Sequence, residues 1–98
     1  VDLLLCLIIL STCIATPIVE ELLFRGFVFD MFSEIYSKWA SIIFSSILFG
    51  LVHLEPFAVL NAFILGMIYG YVRHETNSLW PSIVLHGLWN LQVVLYVY

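Results

Sequence analysis

The sequence predicts an all-α protein, a polytopic transmembrane helix bundle of about four to five helices. Three observations carry this. Hydrophobic residues fill 63% of the 98 positions and charged residues only 10%, against ~25% in a typical soluble domain. The uncharged positions are grouped: segments 3–19, 39–54, 56–72 and 76–98 contain no Asp, Glu, Lys or Arg. Each approaches or reaches the ~17–25 residues a spanning helix needs. Aromatic residues then gather at segment ends, with Tyr36, Trp39, Tyr71 and Trp80 placed as interfacial belts. So few charges cannot solvate a free-standing soluble domain. Three basic residues cannot track a phosphate backbone, so no nucleic-acid partner is expected. The apolar content argues against disorder.

The length allows one domain, so residues 1–98 are read as a single membrane-embedded core. The chain opens on Val1 rather than Met and has no basic stretch before Leu3. It is therefore expected to be a piece of a longer chain without a removable signal.

The first helix, 3–19, carries Cys6 and Cys13. Seven residues apart on a helix, they sit ~10 Å apart along the axis, too far for a disulfide. They read as small apolar side chains. The second helix, 20–38, mixes Glu20, Glu21, Arg25, Asp30, Glu34 and Lys38 with Leu22, Phe24, Phe27 and Phe32. Pro17 is placed as its first-turn residue or as a kink. The third helix, 39–54, follows the turn at Ser37-Lys38, and the fourth, 56–72, starts at Glu55-Pro56. Ala62, Gly66 and Gly70 on the fourth form a stripe that lets helices approach closely in lipid, read as a packing seam. The last helix, 76–98, has Asn77 and Ser78 for a turn or N-cap and Pro81 in its first turn. If the third and fourth helices each span once, Lys38 and Arg73 share a side, which the positive-inside rule makes cytoplasmic.

Ionisable side chains inside a bilayer cost ~2.5–3.5 kcal/mol each on insertion scales, so they persist when paired or when they line a functional cavity. Three clusters qualify. In Glu20-Glu21-x-x-x-Arg25, Glu21 and Arg25 are i,i+4 in the favourable order for a pair. Neighbouring helical residues point ~100° apart, so Glu20 faces elsewhere, without a local partner, as a general base would. An alternative is that both glutamates only complement a helix dipole. In Phe49-x-x-x-His53, the histidine ends an uncharged helix and could be an ordinary interfacial residue. Folding the second and third helices antiparallel about Ser37-Lys38, however, puts His53 within a turn of Glu20. In His86-x-x-x-Asn90, both side chains leave one helix face, with Gly87 clearing space beside them; interhelical polar glue is the competing reading. Level counting brings Asn90 near His53.

A carboxylate and an imidazole that share a water make a hydrolytic base. An imidazole and an amide aimed at one point make an oxyanion hole. No Ser or Cys sits in a recognisable nucleophile motif. One Glu and two His could instead ligate zinc, although the compact H-E-x-x-H arrangement is absent.

These motifs resemble the CAAX protease and bacteriocin-processing family, also called CPBP or Abi, which includes the type II CAAX prenyl endopeptidases. The likeness rests on Glu20-Glu21-x-x-x-Arg25, Phe49-x-x-x-His53 and His86-x-x-x-Asn90, with Gly66, Gly70 and Ser78-Leu79-Trp80-Pro81 adding to it. It covers about residues 14 to 94. The resemblance implies a multi-pass integral membrane endopeptidase with a catalytic core. In it Glu20 and His53 activate water, His86 and Asn90 hold the oxyanion, and Glu21 and Arg25 support the site. It implies no metal and no cofactor. The partners implied are a peptide or lipidated-protein substrate and membrane lipids, in CAAX processing or bacteriocin processing and self-immunity. The alternatives are a non-catalytic immunity or scaffold protein with the same residues as glue, and a zinc-dependent membrane hydrolase.

Overall fold

Residues 2–97 are described by the structure, a computed structural model. Asp2 starts the first helix by accepting a hydrogen bond from the Leu5 N–H at 2.7 Å. From there the chain is helical without interruption over Leu3–Ser33, here α1. Three more helices follow: α2, Lys38–Leu51; α3, Pro56–Thr76; and α4, Trp80–Val97. Among the described residues the bundle therefore has four helices, and the two expected over 3–19 and 20–38 are one. Pro17 does not break it; two stretches of α1, Leu10–Ala15 and Leu22–Val28, are wound as π-helix, with one extra residue in each hydrogen-bonded turn. The first π stretch ends just ahead of Pro17, where the missing N–H would otherwise open a gap in an α ladder.

The junctions follow local chemistry. Ser37 caps α2 through its side chain, which accepts from the Ala40 N–H. After α2, Leu54 takes a left-handed φ of 68°, which costs a side-chain-bearing residue ~1–2 kcal/mol and turns the chain back. Glu55 then accepts from the Phe57 and Ala58 N–H groups, and Pro56 occupies the first turn of α3, where no N–H is needed. Asn77 ends α3 in the left-handed region its short amide tolerates, and the Ser78 hydroxyl accepts from the Trp80 N–H.

α2 and α3 pack antiparallel. The Lys38 ammonium meets the Glu75 carboxylate, and Trp39 stacks on Tyr71 at 5.8 Å, so both turns do lie at one end of the molecule. Gly66 and Gly70 face α2: a Cβ on Gly70 would meet the Ile42 side chain at 3.2 Å, and one on Gly66 would meet Ser46 at 3.2 Å. The expected seam is there, but Gly66 also clears the Arg25 guanidinium, 2.9 Å from such a Cβ.

The interior is as polar as it is apolar. Glu21, Arg25, Ser41, Ser45, Ser46, Ser82 and His86 are buried alongside Phe24, Phe29, Ile42, Phe49, Ala62, Tyr69 and Val94. The exterior carries long runs of exposed Leu, Ile, Val and Phe, among them Leu3, Phe27, Leu54 and Phe57. A surface this apolar suits hydrocarbon rather than water. Leu3–Ser33 and Pro56–Thr76 are long and apolar enough to cross a membrane. The 14-residue α2 would reach only ~21 Å at 1.5 Å per residue, short of a ~30 Å hydrocarbon core.

Candidate active site

The centre of the site is the His86 ring on α4. Its Nδ1–H donates to Glu21 Oε2 at 2.8 Å, and its Nε2 lies 3.6 Å from Glu20 Oε1. Two consecutive residues of α1 thus address opposite edges of one imidazole. The ~100° between them does not separate them, because His86 sits between the two directions. Glu20 has its partner in His86, 66 positions away in sequence, rather than beside it on its own helix.

Glu21 also faces Arg25, Oε1 to Nε at 3.4 Å, and both side chains are fully buried. That pair is the one the i,i+4 spacing predicts. The Arg25 guanidinium lies over the Phe49 ring at 4.3 Å and the Tyr69 ring at 5.3 Å, a cation held against aromatic faces in a dry slot. Tyr69 stacks on the other side of the site against His86, with centroids 5.1 Å apart and planes 19° from parallel. Ser82 fixes the α3–α4 spacing beneath it by donating to the Tyr69 carbonyl at 2.8 Å.

His53 stands in the turn after α2. Its Nδ1 lies 2.8 Å from the Phe49 carbonyl; since a carbonyl only accepts, this nitrogen carries the proton and Nε2 of the neutral ring is left as an acceptor. His53 is exposed, and no ion-pair contact joins it to Glu20 among the described residues. It meets His86 and Asn90 across a cavity of about 270 Å³, whose walls include Phe49, Asn61 and Trp89. Asn90 also lines this cavity, but its Nδ2 donates to the Thr12 carbonyl of α1 at 2.9 Å. Gly87 serves this contact rather than the histidine: a Cβ there would lie 2.6 Å from the Cys13 carbonyl oxygen.

The family described as "Type II CAAX prenyl endopeptidase Rce1-like" matches residues 2–92. The chain belongs to this Rce1-like family. Similar curated proteins include "Putative membrane peptidase YdiL" of Bacillus subtilis (strain 168), 29% identical over 91% of this chain and 36% of that protein. "UPF0177 protein YbdI" of Lactococcus lactis subsp. lactis (strain IL1403) is 34% identical over 85% of this chain and 45% of its own length. The chain thus spans less than half the length of either relative. No solved structure gives a significant match.

The Rce1-like match takes in Glu20, Glu21, Arg25, His53, His86 and Asn90 together. Tyr69 and Thr12 are site neighbours that sequence reasoning did not single out. Tyr69 had one available signal, a hydroxyl on the same α3 stripe as Ala62 and Gly66. Thr12 had another, since it lies five residues before a proline.

Proposed function

We propose that this chain is the catalytic core of a multi-pass membrane endopeptidase that hydrolyses a peptide bond with water activated by Glu20 and His53. The observation that carries the reading is the placement of both Glu20 and Glu21 on His86, next to a cavity that His53, His86 and Asn90 line. His53 offers an acceptor nitrogen to a water in that cavity, and Glu20 is the half-buried carboxylate 3.6 Å from Nε2 of His86, which lines it. The attacked carbonyl then becomes an oxyanion, to which His86 and Asn90 donate. Donation from His86 Nε2 while Nδ1–H is held by Glu21 needs the doubly protonated ring. Glu21 and Arg25 therefore position His86 and set its charge environment.

The expected substrates are a prenylated protein, as the family name implies, or a bacteriocin-like peptide. The test is Glu20→Gln in the full-length protein, with cleavage measured on a prenylated peptide and on an unmodified one. Turnover should fall ~10²–10⁴-fold, the scale of general base catalysis, with the melting temperature held. Near-normal cleavage by Glu20→Gln sinks the assignment. A chelator should leave the parent activity unchanged; its loss would favour the zinc reading, although no group of three metal-binding side chains occurs among the described residues. One observation favours a non-catalytic reading: the Asn90–Thr12 bond is itself interhelical glue.

A further inference from the structure

The last helix rests on the first at its π stretch. There the Thr16 N–H donates to the Ser11 carbonyl, passing over Thr12. The next donor in this wide register is residue 17, a proline with no N–H. The Thr12 carbonyl is left unclaimed by its own helix, and Asn90 Nδ2 takes it at 2.9 Å. Only the nitrogen end of an amide can face a carbonyl, so this contact fixes which way the Asn90 side chain is turned. Thr12, His53, His86 and Asn90 border one cavity. The second N–H of the Asn90 amide has no partner among the described residues.

We propose that Pro17 is a positioning residue for the peptidase reaction: by withholding an N–H from the Thr12 carbonyl, it reserves that acceptor for one N–H of Asn90 and holds the other N–H toward the oxyanion. Pro17 is fully buried. Pre-set donors of this kind matter because they need no reorganisation when charge develops. The kinetic half of this proposal rests on the function proposed above, whereas the hydrogen-bond half does not.

A double-mutant cycle of Pro17→Ala and Asn90→Ala in the full-length protein tests both halves. With Pro17 present, Asn90→Ala strands a carbonyl in a non-aqueous interior and should lower the melting temperature. Pro17→Ala supplies the missing N–H. Whether the segment stays π, so that residue 17 serves Thr12, or relaxes to α, so that Thr16 does, the carbonyl is satisfied. Asn90→Ala should then cost little further stability. Equal melting shifts in both backgrounds overturn the hydrogen-bond half. In turnover, Pro17→Ala should lower kcat on the order of 10²-fold, the cost of a displaced catalytic group, with KM near the parent value. Asn90→Ala added to it should cost far less than it does alone. Coupled melting with parental kcat in Pro17→Ala overturns the positioning role. A parent protein that cleaves neither peptide overturns the peptidase reading and the kinetic role with it, while the melting cycle still decides the bond. If Pro17→Ala does not insert, labelling with ¹³C′-Thr and ¹⁵N-Cys selects the Thr12–Cys13 peptide, the one Thr-Cys step in this sequence. Its carbonyl resonance should move upfield in Asn90→Ala, and an unmoved resonance overturns the proposal.

Discussion

Arg25 shows most clearly what a single residue does here. Its side chain is fully buried against Glu21, Phe49 and Tyr69. Arg25→Ala should therefore act first on stability, since breaking a buried pair leaves its partner uncompensated at a cost of ~3–5 kcal/mol. Thermal melting in micelles checks this. A variant with parental melting and no cleavage would assign Arg25 to substrate instead. The Glu21–Arg25 pair was legible in the sequence because four residues on one helix settle it. The partner of Glu20 was not, because it depends on where the last helix docks. Register counting drew His53 and Asn90 to the site region, and both do border the cavity with His86. It also put His53 within a turn of Glu20, and the ionisable contact of Glu20 in the structure is His86, at 3.6 Å.

At the scale of elements, the two π stretches of α1 are the least legible feature. Hydrophobic periodicity does not register them, because Leu10–Ala15 carries no charge and only the adjacent hydroxyls of Ser11 and Thr12, and Leu22–Val28 only Arg25. The sequence therefore divides at the first ions, near Glu20, where the backbone does not. Each π stretch leaves a carbonyl to a distant side chain: Thr12 to Asn90 of α4, and Arg25 to the Arg73 Nε of α3, at 3.2 Å. Arg73 also reaches Asp30 at 3.0 Å, so α3 is fastened to the second stretch as α4 is to the first. Gly87 is the point where this fastening has no slack. Gly87→Ala sets a Cβ against backbone, the Cys13 oxygen, which cannot rotate aside. The expected loss is ~1–3 kcal/mol, the usual range for overpacking, measured as a fall in melting temperature. Unchanged melting would mean that α4 stands further from α1 than described.

Over the whole molecule the usual sorting of a globular protein is relaxed, with Glu21, Arg25, His86 and four serines buried among the core aromatics and many aliphatic side chains outside. Composition alone made this much legible, since 10% charged residues cannot cover a surface. What composition could not supply is how the ends of a 31-residue helix stay in step with the rest. A π turn holds one residue more than an α turn, so removing one residue there restores an ordinary turn and leaves both flanks pointing as before. The same deletion inside Lys38–Leu51 would swing everything beyond it by ~100°, carrying Phe49 off the Arg25 guanidinium and His53 off the cavity. Deleting Ile14 should thus yield an inserted protein whose Thr12 carbonyl, now four residues before Pro17, still lacks a helical donor and stays open to Asn90, whereas deleting Ile47 should yield none, a contrast that membrane-fraction yield would register. The chain length of this protein is then adjustable at two places along its first helix and rigidly counted in its second.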